Sequence, residues 1–346
     1  MDSVASARNE GAPAASLDAR LETYLRARFG SDRPAVAVTA LAGDASTRKY
    51  YRIQQARESR VAALYPEGFI PEQSTYLTLR SLLAEWGLPV PAVVDCDGAR
   101  GIVLLEDLGD CTLQQRVAVA TRAEREDLYR HAIADLVRMQ RAADSGTRRA
   151  ACFDLAFDVE KLSWELDFFV EHFMQGWRGR RLSEEERSAL AQGFDGLSRE
   201  IAAWPRVLCH RDYHSRNLMW RAGRLYWVDF QDARMGPVTY DVASLLRDSY
   251  VDLDEEMEGK LIEEFRQAVA PTESPGSFER RFELTCLQRN LKALGTFGYQ
   301  AVVRGKREYL EFVPRTLAHV RRNLWRHGTL GNAAPVLARH IEECRA

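Results

Sequence analysis

The sequence predicts a two-lobed α+β protein, with a small β-rich lobe first and a larger, mainly helical lobe after it. Three observations predict this. Between Val36 and Glu106 short β-rich runs alternate with turn signals; beyond Leu108-Gly109-Asp110 long amphipathic segments take over; and a single β-rich interruption, Arg206 to Val228, divides the helical half. At 346 residues the chain exceeds what one compact core usually covers, and 46% of it is apolar, enough for sizeable cores.

Residues 1–16 mix small and polar residues without periodicity and read as a disordered tail. Ser16 is the expected N-cap of a helix carrying Leu17, Leu21, Tyr24, Leu25 and Phe29, which Gly30 closes. The runs VAVTAL, KYYRIQ, VAALY, AVVD and GIVLLE predict five strands, with turns at Gly43-Asp44 and Asp97-Gly98. One helix interrupts them, from about Glu72 to Trp86, where Tyr76, Leu79, Leu82, Leu83 and Trp86 form one apolar stripe that stops before Gly87 and Pro89. Helical periodicity then marks segments 121–142, 156–176, 183–203, 239–250, 255–269, 276–303 and 307–327. The division is therefore a small β-rich lobe over 17–108 and a helical lobe over 109–346.

With 48 basic and 50 acidic residues the net charge is −2, and no dense basic block offers the footprint of a nucleic-acid binder. Six cysteines, at 96, 111, 152, 209, 286 and 344, include no C-x-x-C pair and read as reduced thiols. No window approaches the roughly 18 consecutive apolar residues of a membrane span, and the N-terminus has no basic flank followed by an apolar core. A soluble, cytoplasmic, monomeric protein with a small-molecule partner, and neither nucleic acid nor membrane, is the expectation.

The chemistry concentrates in the interruption, which reads VLCHRDYHSRNLMW and then RLYWVDFQD. His210, Asp212 and Asn217 stand in the spacing H-x-D-x-x-x-x-N, and Asp229 follows at the end of an apolar strand. Phosphoryl transfer wants this set, because it depends on positioning and charge neutralisation. Asp212 is suited to orient an acceptor hydroxyl and take its proton. Asn217 and Asp229 offer hard oxygen ligands for Mg2+ on the phosphates of ATP. His210 reads as a brace for the loop. A turn that merely carries polar residues and a metal hydrolase built on His210, Asp212 and His214 are the competing readings; the second lacks a further His-rich segment to complete its ligands.

Residues 210–217 and 229 resemble the catalytic loop and metal-binding aspartate of the aminoglycoside phosphotransferase family, and Asp241 in TYDVASLL resembles its helix-starting aspartate. The resemblance covers most of residues 40–325 and implies the protein-kinase-like fold, with ATP and Mg2+. Asp241 would cap its helix and tether the loop. Within the family, GDASTRKYYRI, GLPVPAVV, LLEDLGD, DFQDARMGPVTYDVASLLRD and QRNLKALGTFGYQ through GKREYL are similar to a bacterial group of anomeric kinases that phosphorylate N-acetylmuramate and N-acetylglucosamine in cell-wall recycling.

The resemblance implies that the loop ending in Ser46, Thr47 and Arg48 contacts phosphate and that the backbone from Glu106 to Leu108 reads adenine. A third-strand lysine is missing from VAALYPEG; Lys49 or Arg48, opposite Glu72 or Glu85, is the expected substitute. That gap keeps a silent nucleotide-binding scaffold open as an alternative. Acceptor residues are expected at Glu165, Gln231, Asp232, Arg289 and Lys292, the last two to pair with the lactyl carboxylate of muramate. Trp164, Phe168 and Phe169, at helical spacing, read as core more readily than as a sugar platform. An aminoglycoside-, choline- or homoserine-like acceptor is the rival reading, and GTP the rival donor.

Overall fold

The structure, a computed structural model, describes residues 18–30, 36–41, 47–145 and 150–346. The expected tail, the Ser16 cap and Ser46 lie outside them. The chain divides into two compact units: one comprises the residues up to Ser74 together with Ala92–Asp107, the other Thr75–Pro91 and Leu108–Ala346.

In the first unit, helix α1 (Ala19–Phe29) is capped by Asp18, whose carboxylate accepts the Arg20 N–H at 3.0 Å. The five expected strands follow: β1 (Ala37–Leu41), β2 (Lys49–Gln55), β3 (Glu58–Leu64) and, after the excursion through 75–91, β4 (Val93–Asp97) and β5 (Ile102–Glu106). They form one antiparallel sheet in the order β1-β2-β3-β5-β4. Leu21, Tyr24 and Leu25 of α1 pack on Ile53, Ala62, Leu64, Ile102 and Leu104, burying one face of the sheet. Tyr24 also donates to Asp95 of β4 at 2.7 Å.

The second unit begins with α2 (Thr75–Glu85), shorter than the predicted helix because a 3-10 turn occupies Pro71–Gln73. Helices α3 (Leu113–Ala118), α4 (Arg122–Ser145), α5 (Val159–Phe169) and α6 (Glu184–Ala202) precede four short strands, β6 (Arg206–Cys209), β7 (Leu218–Arg221), β8 (Arg224–Trp227) and β9 (Arg234–Pro237). Helices α7 (Tyr240–Leu246), α8 (Glu255–Val269), α9 (Pro275–Val302), α10 (Val313–Leu324) and α11 (Ala333–His340) complete it. Helix α9, about 42 Å long at 1.5 Å per residue, is the spine: with α5, α6, α10 and α11 it shares a core that includes Leu166, Phe169, Phe173, Phe194, Leu287, Leu291, Leu294 and Leu317.

Several predicted boundaries move for local reasons. The 156–176 segment is an α-helix that passes into a π-helix over Val170–Trp177. The 239–250 segment stops at Leu246, because Arg247 and Asp248 leave the helix to bond Glu258 and Ser215. The 307–327 segment is a 3-10 turn, Arg307–Phe312, and then α10 with its proline in the first turn.

Two glycines of α9 set how closely it meets its neighbours. A Cβ on Gly295 would lie 2.8 Å from Phe169 Cα, and one on Gly298 2.4 Å from the His172 carbonyl oxygen. Only a hydrogen fits in either place. All six cysteines are unpaired thiols, and Cys152, Cys209, Cys286 and Cys344 are buried.

Candidate active site

A hairpin assembles the centre of the site. Strands β7 and β8 pair from Leu218↔Trp227 to Arg221↔Arg224 around Ala222-Gly223, both at positive φ (48° and 81°), as a two-residue hairpin turn requires. At its open end the Val228 N–H donates to the Asn217 carbonyl at 3.0 Å, so Asn217 and Asp229 emerge side by side from strands that differ in sequence position but not in space. Asp229 is held at φ 62°, a backbone region sparsely used by non-glycine residues and concentrated at working sites. Gln231 Nε2 donates to its Oδ1 at 2.7 Å. Phe230 turns the other way and stacks on Tyr76 of α2, ring centroids 5.1 Å apart.

The loop between β6 and β7 is tied down at nearly every residue. Asp241, fully buried, accepts the backbone N–H groups of His210 at 2.6 Å and Arg211 at 3.0 Å. It sits inside the first turn of α7 rather than at the cap, which is Thr239. Tyr213 donates to the Ala132 carbonyl at 2.8 Å, Ser215 N–H to Asp248 at 2.9 Å, and Asn217 Nδ2 to the Asp212 carbonyl at 2.9 Å. The last bond fixes the Asn217 amide: its nitrogen is used inward, and among the described residues its Oδ1 accepts no hydrogen bond. The His210 ring is buried edge-on against Tyr213 and Trp227, at 5.4 and 5.7 Å. Burial pushes its pKa down to about 4, so it packs as a neutral ring.

Asp212 is the electrostatic focus. Lys292 Nζ lies 2.8 Å from its Oδ1, Arg289 Nη2 3.7 Å from the same oxygen, and Arg211 Nε 3.8 Å from Oδ2. Burial alone would raise this carboxyl, but the charges of Lys292, Arg211 and Arg289 outweigh it and hold Asp212 well below the usual carboxylate range. Its side chain keeps 21% of its surface exposed.

The acceptor residues expected from sequence part company here. Arg289 and Lys292 are placed on Asp212, 3.7 and 2.8 Å from its Oδ1. Arg289 also lies under the Arg211 carbonyl, at 3.4 Å, and over the Tyr240 ring. Asp232 binds Arg211 at 2.8 Å, and Gln231 binds Asp229. Glu165, 1% exposed, accepts from Gln288 at 3.0 Å and stands 3.6 Å from Lys161; its Oε1 and the Gln288 Oε1 are buried without a hydrogen-bond partner. Trp164 is 53% exposed with the Lys161 ammonium 3.9 Å from its ring, so it is not core; Phe169 is.

Sequence reasoning gave Gln288 and Arg211 no role. Gln288 shares a helical face with Lys292, one turn away, and that spacing was the available signal.

In the first unit, Glu106 accepts the Ala92 N–H at 3.2 Å, Thr47 is exposed, and the Arg48 guanidinium lies 4.8 Å from the Tyr65 ring. Leu108, in the second unit, is buried. Lys49 and Glu72 are exposed, whereas Arg52 of β2 pairs with Asp107 at 2.7 Å, with Ser59 donating to the same carboxylate.

The family profile described as the phosphotransferase enzyme family matches residues 37–275. The chain belongs to that family. Among the relatives of this phosphotransferase, an N-acetylmuramate/N-acetylglucosamine kinase of Neisseria meningitidis is 34% identical over 88% of this chain and 90% of its own length. One of Pseudomonas putida is 30% identical over 93% and 94%. Among solved structures, the gentamicin complex of APH(2″)-IIa superposes with a TM-score of 0.61 at 15% identity, covering 92% of this phosphotransferase and 99% of that chain. A choline/ethanolamine kinase family protein from Mesorhizobium loti gives 0.58 at 12% identity, covering 91% and 99%. These likenesses place the kinase-like fold. Among the described residues no helix is long and apolar enough to cross a membrane.

Proposed function

We propose that this phosphotransferase moves the terminal phosphoryl group of ATP to the anomeric hydroxyl of N-acetylmuramate or N-acetylglucosamine, a step of peptidoglycan recycling. The observation that carries the reading is the full-length similarity to kinases of that name, joined to an intact Asp212, Asn217 and Asp229. In the reaction the acceptor oxygen bonds to the γ-phosphorus, the bond from that phosphorus to the bridging oxygen breaks, ADP leaves, and the acceptor proton passes to Asp212. A carboxylate held so far down by neighbouring cations is a weak base. An anomeric hydroxyl, more acidic than an ordinary alcohol, is the acceptor such a base can serve.

Asn217 and Asp229 are the residues that would hold Mg2+. Their oxygens are hard donors, one neutral and one anionic, and the inward bond of the Asn217 amide nitrogen leaves its oxygen for this use. When bound, the ion neutralises phosphate charge. Thr47 and Arg48, with Ser46, are assigned to phosphate, and the backbone from Glu106 to Leu108 to adenine. Glu165, Gln231 and Asp232 are assigned to acceptor hydroxyls. The cations around Asp212 suit an acidic sugar better than a polycationic aminoglycoside.

The test is a coupled ATP-consumption assay with Mg2+ across N-acetylmuramate, N-acetylglucosamine, glucose, choline and kanamycin, with the product placed by phosphorus NMR. Turnover of the acetylated sugars with phosphate on C1 is expected. Phosphate on C6, or turnover of kanamycin or choline alone, would overturn the acceptor assignment.

A further inference from the structure

The catalytic loop carries two arginines and a second histidine near Asp212, yet none of them makes the close contact with it. Arg211 turns its guanidinium to Asp232 at 2.8 Å, and its Nε stays 3.8 Å from Asp212 Oδ2. Arg216 lies 4.9 Å from the Tyr250 ring centroid. The His214 ring, edge-on to Tyr250 at 5.0 Å, offers no hydrogen bond to the Asp212 carboxylate. The short contact comes instead from a residue 80 positions away, Lys292 on α9.

We propose that Lys292 is a positioning residue for phosphoryl transfer: it pins Asp212 by Oδ1, so that Oδ2 alone faces the acceptor hydroxyl. This rests on the reading of Asp212 as the group that takes the acceptor's proton. With Lys292 at 2.8 Å and Arg289 at 3.7 Å, Oδ1 is occupied from two sides, and Oδ2 has no donor within hydrogen-bond reach among the described residues. A carboxylate anchored at one oxygen loses its rotational freedom, and the other oxygen is presented in one direction.

The platform that carries Lys292 is rigid for reasons given by its own neighbours. Gly295 and Gly298 let α9 approach the backbone at Phe169 and His172 more closely than any side chain would allow. Thr285 of α9 and Thr239 share a hydrogen bond at 2.7 Å at the entrance to α7, the helix whose Asp241 clamps the N–H groups of His210 and Arg211. The ammonium and the carboxylate it holds are thus fixed to the same scaffold from both ends.

A substrate-binding role for Lys292 would predict something different from a positioning role, and kinetics separate the two. Lys292→Met in the full chain is expected to lower kcat about 10²-fold on both acetylated sugars, with KM for sugar and ATP little changed. Lys292→Arg, which keeps a cation in reach of Oδ1, is expected to recover most of that loss. In an Asp212→Asn background, Lys292→Met is expected to cost almost nothing further, because its effect runs through Asp212. A rise in KM confined to N-acetylmuramate, or a full additional loss in the Asp212→Asn background, would overturn the proposal. Wild-type enzyme that turned over neither sugar would fell the acceptor assignment alone, and the Lys292 series would then be read on whichever acceptor is used.

Discussion

Helix α9 carries two ionic clusters, and they are built on opposite plans. Toward its N-terminus, Glu283 is 1% exposed and pairs with Arg247, Arg326 and His327, while Arg247 and Arg322 hold Glu258 at 2.8 and 3.1 Å. The two carboxylates are closed from water there, while Arg322 and Arg326 reach the surface, and the groups are drawn from α8, α9, α10 and the segments that follow α7 and α10. Farther along the same helix a single carboxylate, Asp212, is shared by Lys292, Arg289 and Arg211 and stays partly open to solvent. The first cluster fastens helices to one another. The second leaves its carboxylate within reach of solvent, as the role proposed for Asp212 needs.

Breaking each cluster should therefore give different losses. The largest is expected for Asp212→Asn, which should lower kcat about 10³-fold or more while nucleotide affinity and melting temperature stay near wild type. Near-normal turnover would remove Asp212 from the role assigned to it. Arg247→Met should do the reverse. By leaving Glu258 and Glu283 short of a partner it is expected to lower unfolding free energy by about 3–5 kcal/mol in urea titrations, with kcat per folded molecule almost unchanged.

A smaller effect, about 1–3 kcal/mol, is expected for Gly298→Ala, since the new methyl would meet the His172 carbonyl and push α9 off the π-helix. Here stability and kcat should fall together, because α9 carries both clusters. A variant that loses stability yet keeps full kcat would show that Lys292 tolerates movement of its helix.

Acid adds a gentler probe of both regions. Burial, helped by the Arg247 charge, pushes His319 down to about 4, and burial does the same to His210. Their ordinary value is 6.5, so the unfolded chain takes up protons first as pH falls. The stabilisation is complete above pH 6.5 and is lost progressively toward pH 4. Urea midpoints measured across that window should drop for wild type and drop less for His319→Gln.

The sequence made some of this legible and hid the rest for physical reasons. Asp212, Asn217 and Asp229 lie within one hairpin's reach, so their spacing announces the site before any tertiary contact is known. The five strands of the first sheet were readable because each alternates or is bounded by turn residues. Lys292 on Asp212 was not, because a pair separated by 80 residues is made by packing. Strand β9, Arg-Met-Gly-Pro, has too little β-propensity to be seen, and pairs with β6 only because Gly236 admits Phe157 alongside. Trp164 misled because helical spacing places it on the stripe of Phe168, while the helix turns it outward under Lys161. Segment 333–340 was missed altogether, being short and rich in alanine.

The buried thiols give the molecule a built-in clock. Cys209 is fully buried one residue before His210, at the root of the loop that Asp241 holds, and burial keeps its pKa far above the ordinary thiol range. Cys286 lies in α9 between the two clusters, equally enclosed. A thiol reagent reaches such groups only when the surrounding structure opens, so their modification rates record how often each region opens. Cys96 and Cys111, only half-buried, mark the fast end of the same scale. If ligand binding slowed Cys209 more than Cys286, the loop and the spine of this protein would be shown to open independently.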